Sequence, residues 1–98
     1  MKGGFVYILT NKGNNVLYTG VTSDLVNRII QHQEEHYPQS FSAKYKCKKL
    51  LYFETFDDIE SAISREKYIK GKSRVFKLDL ITSVNPGFND LWYQIKGW

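Results

Sequence analysis

A chain of 98 residues accommodates one compact domain with one core and leaves no room for two of ordinary size. With 42% hydrophobic and 24% charged residues, two prolines and seven glycines, its composition excludes a disordered or fibrous chain. The formal charge of +4 biases the partner towards a polyanion, and the single cysteine, Cys47, excludes an intramolecular disulfide and a multi-cysteine zinc site.

The start, Met1-Lys2-Gly3-Gly4, runs directly into a strand-like stretch, so neither a secretory leader nor a membrane span is expected and the predicted location is cytoplasmic. Phe5 to Thr10 is rich in β-branched and aromatic residues and reads as a buried strand, and Val16 to Val21 reads as a second. Between them Gly13-Asn14 is a two-residue hairpin signal. Ser23 stands where an N-cap would, Asp24 suits the positive end of a helix dipole, and Leu25, Val26, Ile29 and Ile30 recur at helical spacing, predicting a helix to about Glu35. His36 to Tyr45 contains Pro38 and little periodicity and reads as a loop with Phe41 turned inwards. Leu50 to Phe53 forms a third strand, and Asp57 with Glu60 resembles a capping box opening a helix over 58–70. Gly71 suits its C′ position. Ser73 then caps a helix with Phe76, Leu80, Ile81 and Val84 on its apolar side, and Asn85-Pro86-Gly87 stops it. The tail over 86–98 is expected to pack Leu91 and Trp92 on a core spanning about 5–85.

The order β-β-α-β-α-α makes a single-domain α/β sandwich, residues 1–98, with a three-stranded, at least partly antiparallel sheet flanked by helices. Both sheet faces are expected to be covered, because Phe5, Tyr7 and Leu9 point one way, Val6 and Ile8 the other, and neither set is polar.

Glu66 is the most informative single residue. Ile59, Ala62, Ile63 and Ile69 define an apolar stripe, and Glu66 falls near its centre, where a carboxylate has to be protonated, paired or bound to a metal. A structural ion pair with Arg65 or a lysine and a metal or catalytic role are both open. Tyr7 and Tyr18 share one sheet face if the hairpin pairs through Gly13-Asn14, which sets Gly20 opposite Tyr7 and Leu9 opposite Tyr18 and leaves an open spot beside the phenols. Arg28 and His32 lie one turn apart on the flank of the first helix. The arginine fork matches phosphate geometry, and the histidine suits a general acid, a phosphate contact or a solvated position equally. In His32-Gln33-Glu34-Glu35-His36 the histidines have zinc-hydrolase spacing, but Gln33 replaces the required glutamate, so zinc is not expected. Two basic clusters are candidates for contact with nucleic-acid phosphates: Lys44, Lys46, Lys48 and Lys49, and Lys67, Lys70, Lys72, Arg74 and Lys77. Tyr45, Tyr68 and Phe76 lie among them as stacking or core residues.

Taken in order, Phe5-Val6-Tyr7, Tyr18-Thr19-Gly20, Arg28, His32 and Arg65-Glu66 resemble the GIY-YIG nuclease family across nearly the whole chain, with Phe-Val in place of Gly-Ile and Thr19 in place of isoleucine. The stretches 17–22, 65–70 and Asn85-Pro86 are similar to its short stand-alone bacterial members, and the chain is likewise similar to the nuclease domains of the excision-repair C subunit and of GIY-YIG homing endonucleases. The resemblance implies a sheet flanked by helices, one divalent ion (Mg²⁺ or Mn²⁺) on Glu66, and endonucleolytic hydrolysis of DNA, in repair or recombination. It further implies Tyr7 as general base or water-orienting group, Tyr18 beside the nucleophile and phosphate, Arg28 on the developing charge, His32 assisting and Asn85 positioning the site. Whether Tyr7, Tyr18 or a water is deprotonated stays open, since an ordinary tyrosine has a pKa of about 10. The partners implied are DNA or another nucleic acid, and a protein that lends specificity, with no membrane. The competing expectation is a binding module with the same fold and little turnover.

Overall fold

In the computed structural model, which describes residues 3–98, strand β1 (Gly4–Thr10) lies at the centre of a three-stranded sheet. Strands β2 (Leu17–Thr22) and β3 (Lys49–Phe56) flank it, both antiparallel. Met1 and Lys2, part of the start read above as free of a leader, lie outside the described residues. Among the described residues there are five helices: α1 (Leu25–Gln33), α2 (Phe41–Lys44), α3 (Ile59–Lys70), α4 (Arg74–Val84) and α5 (Trp92–Ile95). Among the described residues no helix is long and apolar enough to cross a membrane.

The alternation along β1 divides the core into two layers. Tyr7 and Leu9 pack with Leu25 and Ile29 of α1, Cys47, Leu50, and Leu91 and Ile95 from the tail. Val6 and Ile8 pack on the other side with Leu51, Tyr52, Ala62 and Ile69 of α3, and Ile81 of α4. Gly4 lets α3 approach β1, since a Cβ there would lie 2.7 Å from that of Ala62.

Local capping differs from expectation by one residue twice. Asp24, not Ser23, caps α1 by accepting from the Asn27 amide, and Asp58, not Asp57, caps α3 by accepting from Ser61. In both cases the carboxylate one position later reaches the third amide of the helix. Ser73 caps α4 as expected, but Val84 is exposed. Gly71 has φ −77°, so α3 closes without a left-handed residue. The hairpin keeps the expected register, but pairing ends at Thr10–Leu17. Residues 11–16 form a longer connection in which the Asn11 side chain accepts from the amides of Asn15 and Val16. Asn14 is left-handed with φ 58°, whereas Gly13 is not.

Two short helices, α2 and α5, escape periodicity because neither lasts long enough to repeat. Phe41 at the start of α2 is half exposed rather than tucked in. In the tail Leu91 and Ile95 are buried, Ile95 completely. The tail also shields the outer edge of β3. A bulge leaves Leu51 without a partner in β1, and its carbonyl accepts from Asn85 Nδ2 at 3.0 Å. Leu50 exchanges hydrogen bonds with Asp90 and Leu91 alongside.

Candidate active site

The hairpin brings Tyr7 opposite Gly20 and Leu9 opposite Tyr18, with no bulge between β1 and β2. The spot beside the phenols is not open, however, because the Tyr7 ring itself lies across Gly20. A Cβ on Gly20 would overlap the end of that ring and come within 2.9 Å of Cε1. The missing side chain therefore makes room for the tyrosine, not for a ligand. Tyr7 has no accessible surface, and burial raises its phenol well above the usual tyrosine range, an effect that the Arg28 hydrogen bond only partly opposes.

Helix α1 presents Arg28 and His32 to that hydroxyl. Arg28 Nε donates to Tyr7 Oη at 3.4 Å, and Tyr7 Oη lies 2.8 Å from His32 Nε2. His32 Nδ1 in turn lies 2.8 Å from Ser42 Oγ, which is 3.3 Å from Ser40 Oγ. Burial first, and the Arg28 charge second, lower the His32 pKa to about 4, so the ring is neutral near pH 7 and carries one N–H. Tyr7 Oη accepts from Arg28 and shares one hydrogen bond with His32 Nε2, and the neutral imidazole uses its other nitrogen to pair with Ser42. The network thus runs unbroken from Arg28 through Tyr7 and His32 to Ser42.

Arg28 is fixed further by Gln31 Oε1 at 3.1 Å and by the Tyr37 ring, 5.5 Å from its guanidinium carbon. Its hydrogen bond to Tyr7 raises its pKa, so its charge is permanent. The Tyr18 ring centroid lies 5.4 Å from that of His32, and Phe41 stacks on the ring at 6.2 Å. Tyr18, Arg28, Gln31, His32, Tyr37 and Ser42 line a cavity of about 270 Å³.

Glu66 belongs to α3, beneath the other sheet face, and is 7% exposed, as its place near the apolar stripe predicts, although Ile63 of that stripe is exposed. Its partner is a lysine: Lys70 Nζ lies 2.8 Å from Oε2. Arg65 turns away to Glu54 at 3.1 Å, and Glu54 also receives the Tyr52 hydroxyl. Lys70 Nζ lies 5.9 Å from the Tyr18 ring centroid, so this ammonium links the carboxylate to the cavity rim. Among the described residues no group of three or more His, Cys, Asp or Glu is arranged to hold a metal. A single buried carboxylate that already faces a cation fits a hard divalent ion that completes its shell with water and phosphate, and does not fit a structural zinc site.

Asn85 sits away from this network. Its amide donates to the carbonyls of Leu51 and Asn89 and accepts from the Asn89 amide, so its visible work is to fasten the end of α4 to β3. Basic residues from the two sequence clusters meet in a band across the hairpin end. Asn14 accepts Lys49 Nζ on its side chain at 3.1 Å and Arg74 Nη2 on its carbonyl at 3.3 Å, tying the two sequence clusters together at the hairpin end. Lys12, Lys46, Lys48 and Lys49 line a second cavity of about 360 Å³ with Asp90. Lys44 stands over Tyr45 and Lys72 over Tyr68, and both tyrosines are exposed, so neither is a core residue. Lys67 is exposed on α3.

Ser42, Gln31 and Tyr37 are site residues that the sequence did not flag. Ser42 carried one usable signal, the Ser40-Phe41-Ser42-Ala43 stretch, in which Ser40 caps α2 through the Ala43 amide. Cys47 is buried and its thiol pushed up by burial, which leaves it a core residue.

The profile of the GIY-YIG catalytic domain matches residues 3–79. A UPF0213 protein of Clostridium perfringens (strain 13 / Type A) is 43% identical over 83 residues, which span 81% of this chain and 83% of the relative. Another, from Desulfotalea psychrophila, is 32% identical over 96 residues, spanning 95% and 86%. The solution NMR structure of a UPF0213 protein from Bacillus halodurans matches with a TM-score of 0.57 at 26% identity, over 90% of this chain and 92% of that one. With the match over residues 3–79 and these relatives over 81% and 95% of its length, the chain belongs to the GIY-YIG nuclease family, in its short UPF0213 form.

Proposed function

We propose that this chain is a cytoplasmic, metal-dependent endonuclease that hydrolyses phosphodiester bonds in DNA, serving repair or recombination. The observation that carries the reading is the convergence of Arg28 and His32 on the Tyr7 hydroxyl beside Tyr18, at the edge of a cavity of about 270 Å³. A permanently charged fork, a neutral imidazole and a phenol at one concave spot suit a reaction in which charge develops on a phosphate.

Arg28, held by Tyr7, Gln31 and Tyr37, takes the non-bridging phosphate oxygens and the charge that grows on them. Tyr18 faces the same cavity and orients the attacking water against the phosphate. Burial disfavours a resting Tyr7 phenolate. Tyr7 therefore orients its neighbours as a phenol, and any proton reaching its oxygen is matched by release of its own to His32 Nε2. Glu66 would hold one Mg²⁺ or Mn²⁺, which supplies Lewis acidity towards water and phosphate. Lys44, Lys46, Lys67, Lys70, Lys72 and Arg74 neutralise the flanking backbone, and specificity comes from substrate shape or a protein partner.

A second reading has its own support. Tyr7 has no accessible surface and Glu66 already faces Lys70, as suits a nucleic-acid-binding module of low turnover. Incubation with plasmid, single-stranded, flap and four-way DNA, with and without Mg²⁺ or Mn²⁺, separates the two. The nuclease reading expects metal-dependent cutting that Glu66→Ala and Tyr18→Phe both abolish. Salt-sensitive binding that survives Glu66→Ala, with no cutting by the unmodified protein, leaves the binding module.

A further inference from the structure

Glu66 and Lys70 form an unequal pair. The Glu66 side chain is 10% exposed and its position is set by the packing of α3, whereas that of Lys70 is 53% exposed, at the end of a long stem. A carboxylate so buried requires a cation. An ammonium at 2.8 Å meets that need, and Glu followed by Lys four residues later is the favourable order on a helix. A purely structural pair would need nothing more. The second observation is where the ammonium lies: 2.8 Å from the carboxylate and at the same time 5.9 Å from the centroid of the Tyr18 ring, which lines the cavity with Arg28 and His32. The protein's own cation thus stands beside both Glu66 and the wall of the cavity.

We propose that Lys70 is an exchangeable counter-ion. Its ammonium holds the place on Glu66 that a divalent cation takes, and entry of that cation releases Lys70 to swing on its stem towards phosphate in the cavity. The inference rests on the reading of Glu66 as the metal ligand. It assigns Lys70 two successive partners, one carboxylate and one phosphate, and explains how Glu66 is accommodated in a buried position without metal. Metal binding then competes with an internal ion pair.

The competition is measurable without nucleic acid or turnover. Free Mn²⁺ is counted by electron paramagnetic resonance during titration of the full chain, of Lys70→Met and of Glu66→Gln, each first checked for native circular dichroism. Lys70→Met is expected to bind Mn²⁺ about fivefold more tightly than the unmodified chain, the factor that a partly exposed pair is worth, and Glu66→Gln to lose binding. If Glu66→Gln loses binding but Lys70→Met binds no more tightly, Glu66 stands as ligand and the exchange is overturned. If Glu66→Gln binds like the unmodified chain, or no form binds at millimolar Mn²⁺, the reading of Glu66 falls and the exchange with it. Should Lys70→Met not fold, Mg²⁺ titration of the unmodified chain decides. The exchange expects the Lys70 ammonium resonance to move together with the Glu66 carboxyl resonance, and a carboxyl that shifts while the ammonium stays still overturns it.

Discussion

Glu35 and Lys46 face each other at 2.8 Å, and each is a left-handed residue one position beyond the cap of a helix, with φ of 53° and 58°. The hydrogen bonds match at both ends. Glu35 and His36 donate back to His32 and Gln31 at the close of α1, and Lys46 and Cys47 donate back to Ala43 and Ser42 at the close of α2. Glycine is the usual residue at such positions, and here both left-handed residues carry side chains that pair with each other. Lys48 joins them, 2.9 Å from the same Glu35 carboxylate, whose pKa is held down by its hydrogen bonds to Lys46 and Lys48. The clasp stands between the cavity that holds Arg28 and the one that holds Lys49.

Two substitutions separate strain from pairing. Glu35→Gly loses the pairs but relieves the left-handed backbone, and is expected to unfold at the same or a higher urea concentration than the unmodified chain. Glu35→Ala loses the pairs and keeps the strain, so its midpoint falls. Both free Lys46 and Lys48, and both should bind single-stranded DNA more tightly in fluorescence anisotropy. If Glu35→Ala is as stable as Glu35→Gly, strain does not shape this corner.

The corner also shows where sequence reading stops. Periodicity revealed the long elements because four to six apolar positions recur in each of α1, α3 and α4, and strand alternation placed Tyr7, Tyr18 and Gly20 in their observed register. A four-residue helix has no period to detect, so α2 and its Ser42 stayed hidden, and with them the partner of His32 Nδ1. Glu66 was legible as a buried acid, but its choice of Lys70 over Arg65 depends on Glu54 of β3 claiming the arginine, a contact across 11 residues of sequence that no helical wheel contains.

Gly20 is predicted to be the least replaceable residue of the hairpin. A methyl group there collides with the buried Tyr7 ring, which has nowhere to move, so Gly20→Ala should cost about 2–3 kcal/mol in urea unfolding. Tyr7→Phe should cost about 1–3 kcal/mol, since it strands Arg28 Nε and His32 Nε2 without their shared oxygen. The cost of Gly20→Ala should shrink in a Tyr7→Ala background, because the colliding ring is gone. Additive costs would show that the ring does not lie across Gly20.

His32 links stability to pH. Its folded pKa of about 4 lies below the ordinary 6.5, so the unfolded chain takes up the proton first as pH falls. The stabilisation is fully present above pH 6.5 and is lost between 6.5 and 4, after which this group contributes no further slope. Because the ring is only partly buried, the loss should be about 2 kcal/mol or less. Urea midpoints between pH 4 and 7 for the unmodified chain and for His32→Asn test this, with the slope expected to flatten in the variant. A His32 resonance that titrates near 6.5 would defeat the prediction.

Asn85 is expected to affect stability more than binding. Asn85→Ala leaves the carbonyls of Leu51 and Asn89 without their donor and should cost about 2–3 kcal/mol, and Asn85→Asp should cost no less, because it turns oxygen towards both carbonyls. DNA affinity by anisotropy, measured well below the variants' unfolding temperature, should stay within about twofold of the unmodified chain. A folded Asn85→Ala that loses affinity would move this residue from the β3 edge into the functional site.

The band across the hairpin end makes the most demanding prediction, because it treats two distant sequence clusters as one surface. Lys49 and Arg74 come from β3 and α4, yet both bind Asn14, so a strand of nucleic acid crossing the hairpin end meets them together. If each contacts a phosphate, Lys49→Ala and Arg74→Ala should each lower the slope of log affinity against log salt by about 0.7 for single-stranded DNA, and the double variant by about 1.4. Lys77→Ala, farther along α4, tests whether any lost positive charge has the same effect: a contact-based band predicts no change in slope, whereas a general effect of net charge predicts the same loss for all three. The hydrogen bonds to Asn14 hold the two cations at one place on the fold, and the salt slope reports whether nucleic acid uses it.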